Sequence, residues 1–399
     1  MIFLITNVMN KPIPRMQKMS RNIAFLTLFS VAVGAHILAS LLGIKDITIV
    51  EKRALAPLPV ISSASHDLAA TWSSFPKASE AYFNDHFALR NRMIHDYYQL
   101  KVNLFKQKIF LTQRVMIGKD GWWFSAGGGT VMEDYQRFPA YTNEELAAIQ
   151  GNLEALNDLC MRRGITFIVV VPPNKETVYA EFMPGSIPRI GEVSRLDQFL
   201  DYGNAHGHTP ILDLRQLMLA GKETHQVYLG TDTHWNDYGA HIAYSQVMGA
   251  LQQGYPGMQS HPLEDFEDHK RSWAGNLVYL LTMQSEVKEE ITELVPLFAR
   301  KSQAVQGNDR RTLVFTSSDQ ALPKALIFGD SFSFSTAFAP FLAEHFSRVF
   351  IRHYGYLEQS VEQYIAQEDP DVVILEIVER NLIRLEQPLE QKGGEDTEL

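Results

Sequence analysis

Three side chains of types suited to nucleophilic catalysis, a serine, a histidine and an aspartate, stand in stretches that a fold could bring together. Ser331 lies in KALIFGDSFSFS, where an apolar run ends in Gly329 and Asp330 and the chain turns toward a helical segment. A serine at that turn sits at the carboxyl end of a strand, the edge at which open α/β sheets bind ligands, and amides at a helix start can hold a developing oxyanion. Alone it proves little. A hydroxyl is a weak nucleophile until a base takes its proton, and a serine after a strand reads more often as a helix cap.

A base and an acid stand in TDTHWNDYGA, where Asp232 and His234 are two residues apart just before a helical pattern. In a triad the imidazole takes the serine proton and returns it to the leaving group. The carboxylate fixes the tautomer and stabilises the imidazolium. The plainer readings are a histidine with a backbone partner and an aspartate that caps a turn or helix. A metal held by Asp232, His234 and His241 is a third option, without an H-E-x-x-H type of pattern to support it.

Positioning such residues requires a scaffold, and the chain supplies the pattern of one. VMIGKDGWWFS has turn residues at Lys119, Asp120 and Gly121 between apolar runs and predicts a β-hairpin. A helix begins at the cap Thr142, with Glu145 at the capping-box position, runs to Arg163 and stops at Gly164. ITFIVVVPP follows as a continuous apolar strand, the mark of burial on both faces. Helices and strands then alternate through TPILDL, KALIFGD, SRVFIRHY and DVVILEIV, which predicts an α/β domain around a mostly parallel sheet with flanking helices. Residues 261–313 fit this rhythm poorly and read as an irregular insertion. The main domain is expected over 111–385, followed by a mobile acidic tail over 386–399.

Upstream, residues 22–44 form an apolar run without a charged side chain, long enough for the ~20 helical residues that a membrane crossing needs. Lys11, Arg15, Lys18 and Arg21 precede it and favour a cytoplasmic segment over 1–21, with the chain beyond residue 44 facing outward from a signal-anchor. A cleaved signal peptide, with Ala39 and Ser40 near the cleavage site, is the competing reading. The run exceeds the usual apolar region of about 7–15 residues. Residues 45–110 read as a proline-containing linker and amphipathic helices that pack on the main domain. The single cysteine, Cys160, excludes an intrachain disulfide and reads as packing. A net charge of −10 and the lack of a basic stripe exclude broad electrostatic binding of nucleic acid.

GDSF together with DTHWN resembles the SGNH hydrolase-like domain of bacterial alginate O-acetyltransferases of the AlgJ and AlgX group. EKRALAPLP, YFNDHFALR, GKDGWWF, VVVPPNKETVYAEFMP and LEIVERNL extend the resemblance, in order, from about Glu51 to Leu382. It implies Ser331 as nucleophile with His234 and Asp232 as base and acid partner, in an order that reverses the common SGNH arrangement and is itself a mark of this group. It also implies acetylation of hydroxyls on an exopolysaccharide, alginate or a similar polymer, in the periplasm at the bacterial inner membrane. No metal or organic cofactor is implied, and the acetyl donor would be handed over by a multipass membrane O-acyltransferase. The chain is closer to the AlgJ arrangement of anchor plus catalytic domain. An acetylesterase with the same triad, or a non-catalytic scaffold of an exopolysaccharide secretion complex, are the alternatives.

The oxyanion hole is expected from the Ser331 N–H with help from Asn174 beside the strand ending in PPNK. Asn174 and Lys175 read more readily, however, as a turn and a solvated charge. Tyr228 and Arg380 are further substrate or oxyanion candidates. Trp122 and Trp123 could stack on sugar rings, but tryptophans in a hairpin pack into a core more often.

Overall fold

The computed structural model describes residues 55–59, 68–87, 89–101, 110–111, 114–305 and 311–389, with scattered positions between 23 and 42. Most of the apolar run 22–44 and the tail beyond 389 lie outside the described residues. Among the described residues no helix is long and apolar enough to cross a membrane. The chain divides into two units, 1–100 and 101–399. The first contains helices α1 (Leu68–His86) and α2 (Arg90–Gln99), joined through Leu89 in the left-handed region.

The second unit opens with β1 (Phe110–Leu111), β2 (Val115–Ile117) and β3 (Trp123–Ser125), an antiparallel three-stranded sheet. Asp120 and Gly121, at φ 52° and 81°, make the hairpin turn between β2 and β3. Next along the chain are α3 (Val131–Gln136), α4 (Asn143–Arg162), β4 (Thr166–Val171), α5 (Lys175–Val178), α6 (Arg195–His206), β5 (Ile211–Asp213), α7 (Arg215–Gly221) and α8 (Asp237–Leu251). Then come β6 (Phe266–Trp273), α9 (Asn276–Leu280), β7 (Glu289–Pro296), β8 (Ser302–Val305), β9 (Thr312–Ser317), β10 (Lys324–Gly329), α10 (Ser331–Phe334) and α11 (Phe338–Ala343). The chain closes with β11 (Arg348–His353), α12 (Val361–Glu368), β12 (Val372–Glu376) and a 3₁₀ helix over Glu379–Glu386.

Seven strands form the main sheet in the order β5-β4-β12-β10-β11-β9-β8. The first five are parallel, whereas β9 and β8 run antiparallel to their neighbours, so the sheet is mixed. Strand alternation divides its side chains between two cores. Ile168, Val170, Ala325, Ile327, Val372 and Ile374 face one side, together with α8 and α11. Phe167, Val169, Val171, Leu326, Phe328, Val373 and Leu375 face the other, against α4, α6 and α12. A continuous apolar strand such as β4 is what burial between two helical layers demands.

Residues 261–313 correct the expectation of an irregular insertion. Among the described ones, β6 and β7 form a two-stranded antiparallel ribbon, and the edge strand β8 and the start of β9 belong to the main sheet. The ribbon escaped the sequence pattern because β6 reads FEDHKRSW, exposed over most of its length and without an apolar alternation.

Two local features set the ends of α4 and its passage into β4. Thr142 Oγ1 accepts the Glu145 amide at 3.1 Å, and the Glu145 carboxylate accepts the Thr142 amide at 2.7 Å. Gly164, at φ 71°, stops the helix and turns the chain into β4. Cys160 is buried on α4, where burial pushes its thiol up to about 12, as packing requires. Thr142→Ala is expected to cost about 1 kcal/mol of stability, read as a lower denaturation midpoint with an unchanged slope.

Candidate active site

The parallel strands β4, β10 and β12 end side by side, and their carboxyl-terminal loops converge. The Ile377 amide donates to Val170 and the Glu379 amide to Pro172, both at close to 3 Å, which ties the loop after β12 to the end of β4. On the other side of β12, β10 delivers Gly329, Asp330 and Ser331. A Cβ on Gly329 would stand 2.4 Å from Ser333 Oγ, so the tight turn tolerates no side chain there.

Asp330, not Ser331, caps α10. Its carboxylate accepts the Phe332 amide at 3.0 Å, the Val378 amide at 2.9 Å and the Tyr354 hydroxyl at 3.2 Å. Ser331 is thereby relieved of the capping role that its position after a strand suggested, and its Oγ has no hydrogen-bond partner among the described residues. Beneath the turn, Glu376 accepts the Asp330 amide at 3.1 Å and the Ser333 hydroxyl at 2.7 Å. Burial first, and the Asp330 charge second, raise the Glu376 carboxyl well above the usual carboxylate range.

The second arm of the site is the loop between Tyr228 and Trp235, which pair as an antiparallel bridge. Asp232 and His234 project from its tip and are both nearly buried. His234 Nδ1 lies 2.6 Å from Asp232 Oδ1, which also accepts the His234 amide at 3.1 Å. Asp232 Oδ2 accepts the Asn276 amide at the start of α9, 2.7 Å away. Burial opposes the charge of Asp232, but the adjoining imidazole and these hydrogen bonds outweigh it and hold the carboxyl down at about 2. With its carboxylate partner on Nδ1, the imidazole turns Nε2 away from Asp232. Nε2 has no hydrogen-bond partner among the described residues. No hydrogen bond therefore joins Ser331 Oγ to His234 Nε2 in this structure.

What the two arms share is Phe332, the residue after Ser331, fully buried. Its ring meets those of His234 and Trp235 edge-on, each at 5.0 Å, and that of Tyr228 at 6.3 Å. The Arg380 guanidinium lies 5.4 Å from the same ring centroid. Arg380 is 7% exposed, and its guanidinium makes no hydrogen bond or ion pair among the described residues.

The remaining candidates fall elsewhere. Tyr228 donates its hydroxyl to the Pro173 carbonyl and so forms a wall rather than a donor. Asn174 is fully buried, donating to Asp134 at 3.0 Å and accepting the Arg380 amide at 3.2 Å, so its amide belongs to the scaffold. Lys175, read as a solvated charge, is 1% exposed and donates to the carbonyls of Trp123, Gly230 and Asp232. The reading of Lys175 is corrected because the short α5 turns inward beneath the site, where carbonyls replace water. His241 joins a separate aromatic cluster and bonds the His261 carbonyl at 2.8 Å. Among the described residues no three His, Cys, Asp or Glu side chains converge as a metal site. Trp122 stacks on Tyr179 at 4.2 Å and Trp123 is buried, so both pack rather than face a cleft.

Residues 115–377 match the family model described as an SGNH hydrolase-like domain, acetyltransferase AlgX. The chain belongs to this family. All three of Asp232, His234 and Ser331 lie within the matched AlgX-type domain. A protein of Pseudomonas aeruginosa named probable alginate O-acetylase AlgJ is 25% identical over 289 residues, 68% of each chain. One of the same name from Pseudomonas syringae pv. tomato is 27% identical over 201 residues, 49% of this chain and 47% of that one. Bacillus cereus PatB1, solved with a sulfonyl adduct, has a similar fold, with a TM-score of 0.52 at 18% identity over 70% of this chain and 100% of that one.

Sequence reasoning passed over Phe332, Asn276 and Glu376 in this domain. The last left a signal, a glutamate in the otherwise apolar VVILEIV. Asp232→Asn keeps the shape of the loop but removes the carboxylate beside Nδ1, so the low-field Nδ1–H proton resonance of His234 is expected to shift or disappear, with the fold intact by circular dichroism.

Proposed function

We propose that this chain is an O-acetyltransferase that esterifies hydroxyls of an exopolysaccharide, alginate or a similar polymer, through an acetyl group carried on Ser331. Membership of the acetyltransferase family and the names of the AlgJ relatives support the class of reaction. The observation that carries the assignment of residues is the buried Asp232–His234 pair. It offers an unpartnered Nε2 beside the ring of Phe332, whose chain neighbour Ser331 offers an unpartnered Oγ. Buried polar groups are rarely left without partners, and such exceptions call for a functional explanation.

In the first half-reaction Ser331 Oγ attacks the acetyl carbonyl while its proton passes to His234 Nε2. The tetrahedral intermediate collapses, the donor oxygen leaves with that proton, and an acetyl ester remains on Ser331. A sugar hydroxyl then gives its proton to the same nitrogen and attacks the ester. The new ester bond forms on the sugar as the bond to Oγ breaks, and Oγ recovers the proton. Asp232 stays ionised throughout and balances the imidazolium. The Ser331 amide, which the Asp330 cap leaves uncapped, and the Arg380 guanidinium stabilise the negative charge that develops on the carbonyl oxygen. In the same reading residues 22–44 anchor the chain in the bacterial inner membrane. The catalytic domain then works in the periplasm, and a multipass membrane O-acyltransferase hands over the acetyl group.

The full chain, purified in detergent and given 4-nitrophenyl acetate with alginate oligosaccharides, should acquire an acetyl mass on Ser331 and transfer it to sugar. Ser331→Ala should abolish both signals in mass spectra, a loss of about a thousandfold or more. Acetate release without acetylated sugar would instead make the protein an esterase, and transfer undiminished in the variant would refute the role of Ser331. Arg380→Gln should reduce kcat by roughly a hundredfold with little change in KM, because an oxyanion donor acts in the transition state. An unchanged kcat would remove Arg380 from the reaction.

A further inference from the structure

The loop bearing Asp232 and His234 is held by two charged side chains to which the proposed chemistry gives no part. Lys175, the first residue of α5, directs its ammonium at the Trp123 carbonyl (2.6 Å), the Gly230 carbonyl (2.8 Å) and the Asp232 carbonyl (3.0 Å). An ammonium has three hydrogens, and each finds an acceptor. Its surroundings include the rings of Trp122 and Phe124, with centroids 5.0 and 5.3 Å away. From the opposite polarity, Glu289 at the start of β7 accepts the Gly230 amide at 2.6 Å, the Thr231 amide at 2.7 Å and the Thr231 hydroxyl at 2.5 Å.

We propose that Lys175 and Glu289 are positioning residues, a two-sided clamp that fixes the backbone of residues 230–232 and through it the Asp232–His234 hydrogen bond. The proposal rests on reading that pair as the acid and base of the site. Residues 230–233 belong to no helix or strand, so no regular ladder satisfies their polar groups. The ammonium gathers the carbonyls of Gly230 and Asp232, while the carboxylate gathers the amides of Gly230 and Thr231. A charge is costly to bury unless hydrogen bonds surround it, so a buried lysine with three carbonyl partners is a rigid fixture rather than a free surface charge.

The two charges also sustain one another. Burial lowers the Lys175 ammonium to about 8, opposed by the charges of Glu289, Glu176 and Asp232, which face it from β7, α5 and the loop itself. The protonated form is therefore the one these carboxylates favour. It is lost as pH rises through that value, and the number of hydrogens available to the three carbonyls falls with it.

Lys175→Met keeps the aliphatic stem beside the rings and removes every donor, whereas Glu289→Gln keeps one acceptor and removes the charge. Two readouts separate positioning from mere stability in the full chain: the low-field Nδ1–H proton resonance of His234, and kcat for 4-nitrophenyl acetate against pH. Lys175→Met should move or broaden the resonance and lower kcat by roughly ten- to a hundredfold, with KM within about twofold, as expected for misplaced catalytic groups. It should also erase the alkaline fall of kcat expected near pH 8 in the unaltered protein, where the Lys175 ammonium loses its proton. Glu289→Gln should act in the same direction but less, and the double variant should lose less than the two single losses combined.

A resonance and kcat unchanged in folded Lys175→Met or Glu289→Gln would overturn the clamp. A lowered Tm with both readouts of the folded protein unchanged would also do so, since the role would then be structural alone. Should Lys175→Met not fold, Glu289→Gln decides by the same measures. If Ser331→Ala leaves acetyl transfer intact, the catalytic reading fails by itself, whereas the His234 resonance still reports whether the clamp holds the pair.

Discussion

An ionised carboxylate held against an imidazole away from water is the constraint around which this domain is built. The 2.6 Å contact between Asp232 and His234 is useful to an acid–base pair only if both side chains are confined to one geometry. Confinement removes them from solvent, and every polar group of the loop that carries them must then find a partner inside the protein. Asn276 at the start of α9, Thr231 against the Gly275 amide and the β3 hairpin all supply such partners. The ribbon between β6 and β7 contributes Glu289 to the same task, which gives the segment 261–313 a place in the site as well as in the sheet.

The turn at Ser331 obeys the same logic on the other side of Phe332. Asp330 accepts from three elements at once, and Glu376 supports the turn from below at a cost in desolvation that it meets by favouring its neutral form. Two buried carboxyls beside Ser331 are therefore both taken up in holding its turn. They are the means by which a short helix starts at Ser331 with its hydroxyl unspent. The fully buried Phe332 then couples this turn to the histidine loop by ring contacts, so movement of either arm disturbs packing shared by both.

Much of the scaffold was legible because its signals are local. The capping box at Thr142, the stop at Gly164, the Asp120–Gly121 turn and the apolar run of β4 each depend on a few adjacent residues, and the structure has them at the places their pattern indicates. The ribbon was not legible, since a strand exposed on both faces carries no apolar alternation. Lys175 was misread for a related reason. A charged residue after a strand is solvated in most chains, and only the inward course of α5 places this one beneath the site.

The sequence by itself determined the alternation of helices and strands, the types of the three candidate side chains and the nearness of Asp232 to His234, because propensity, periodicity and two-residue spacing are short-range properties. Only the tertiary structure decided which groups are buried, that Asp330 rather than Ser331 is spent on the cap, and that Arg380, far along the chain from Ser331, lies over its neighbour's ring. Those outcomes depend on contacts between segments distant in sequence. Their energies come from desolvation and packing, which no residue possesses until the rest of the fold surrounds it.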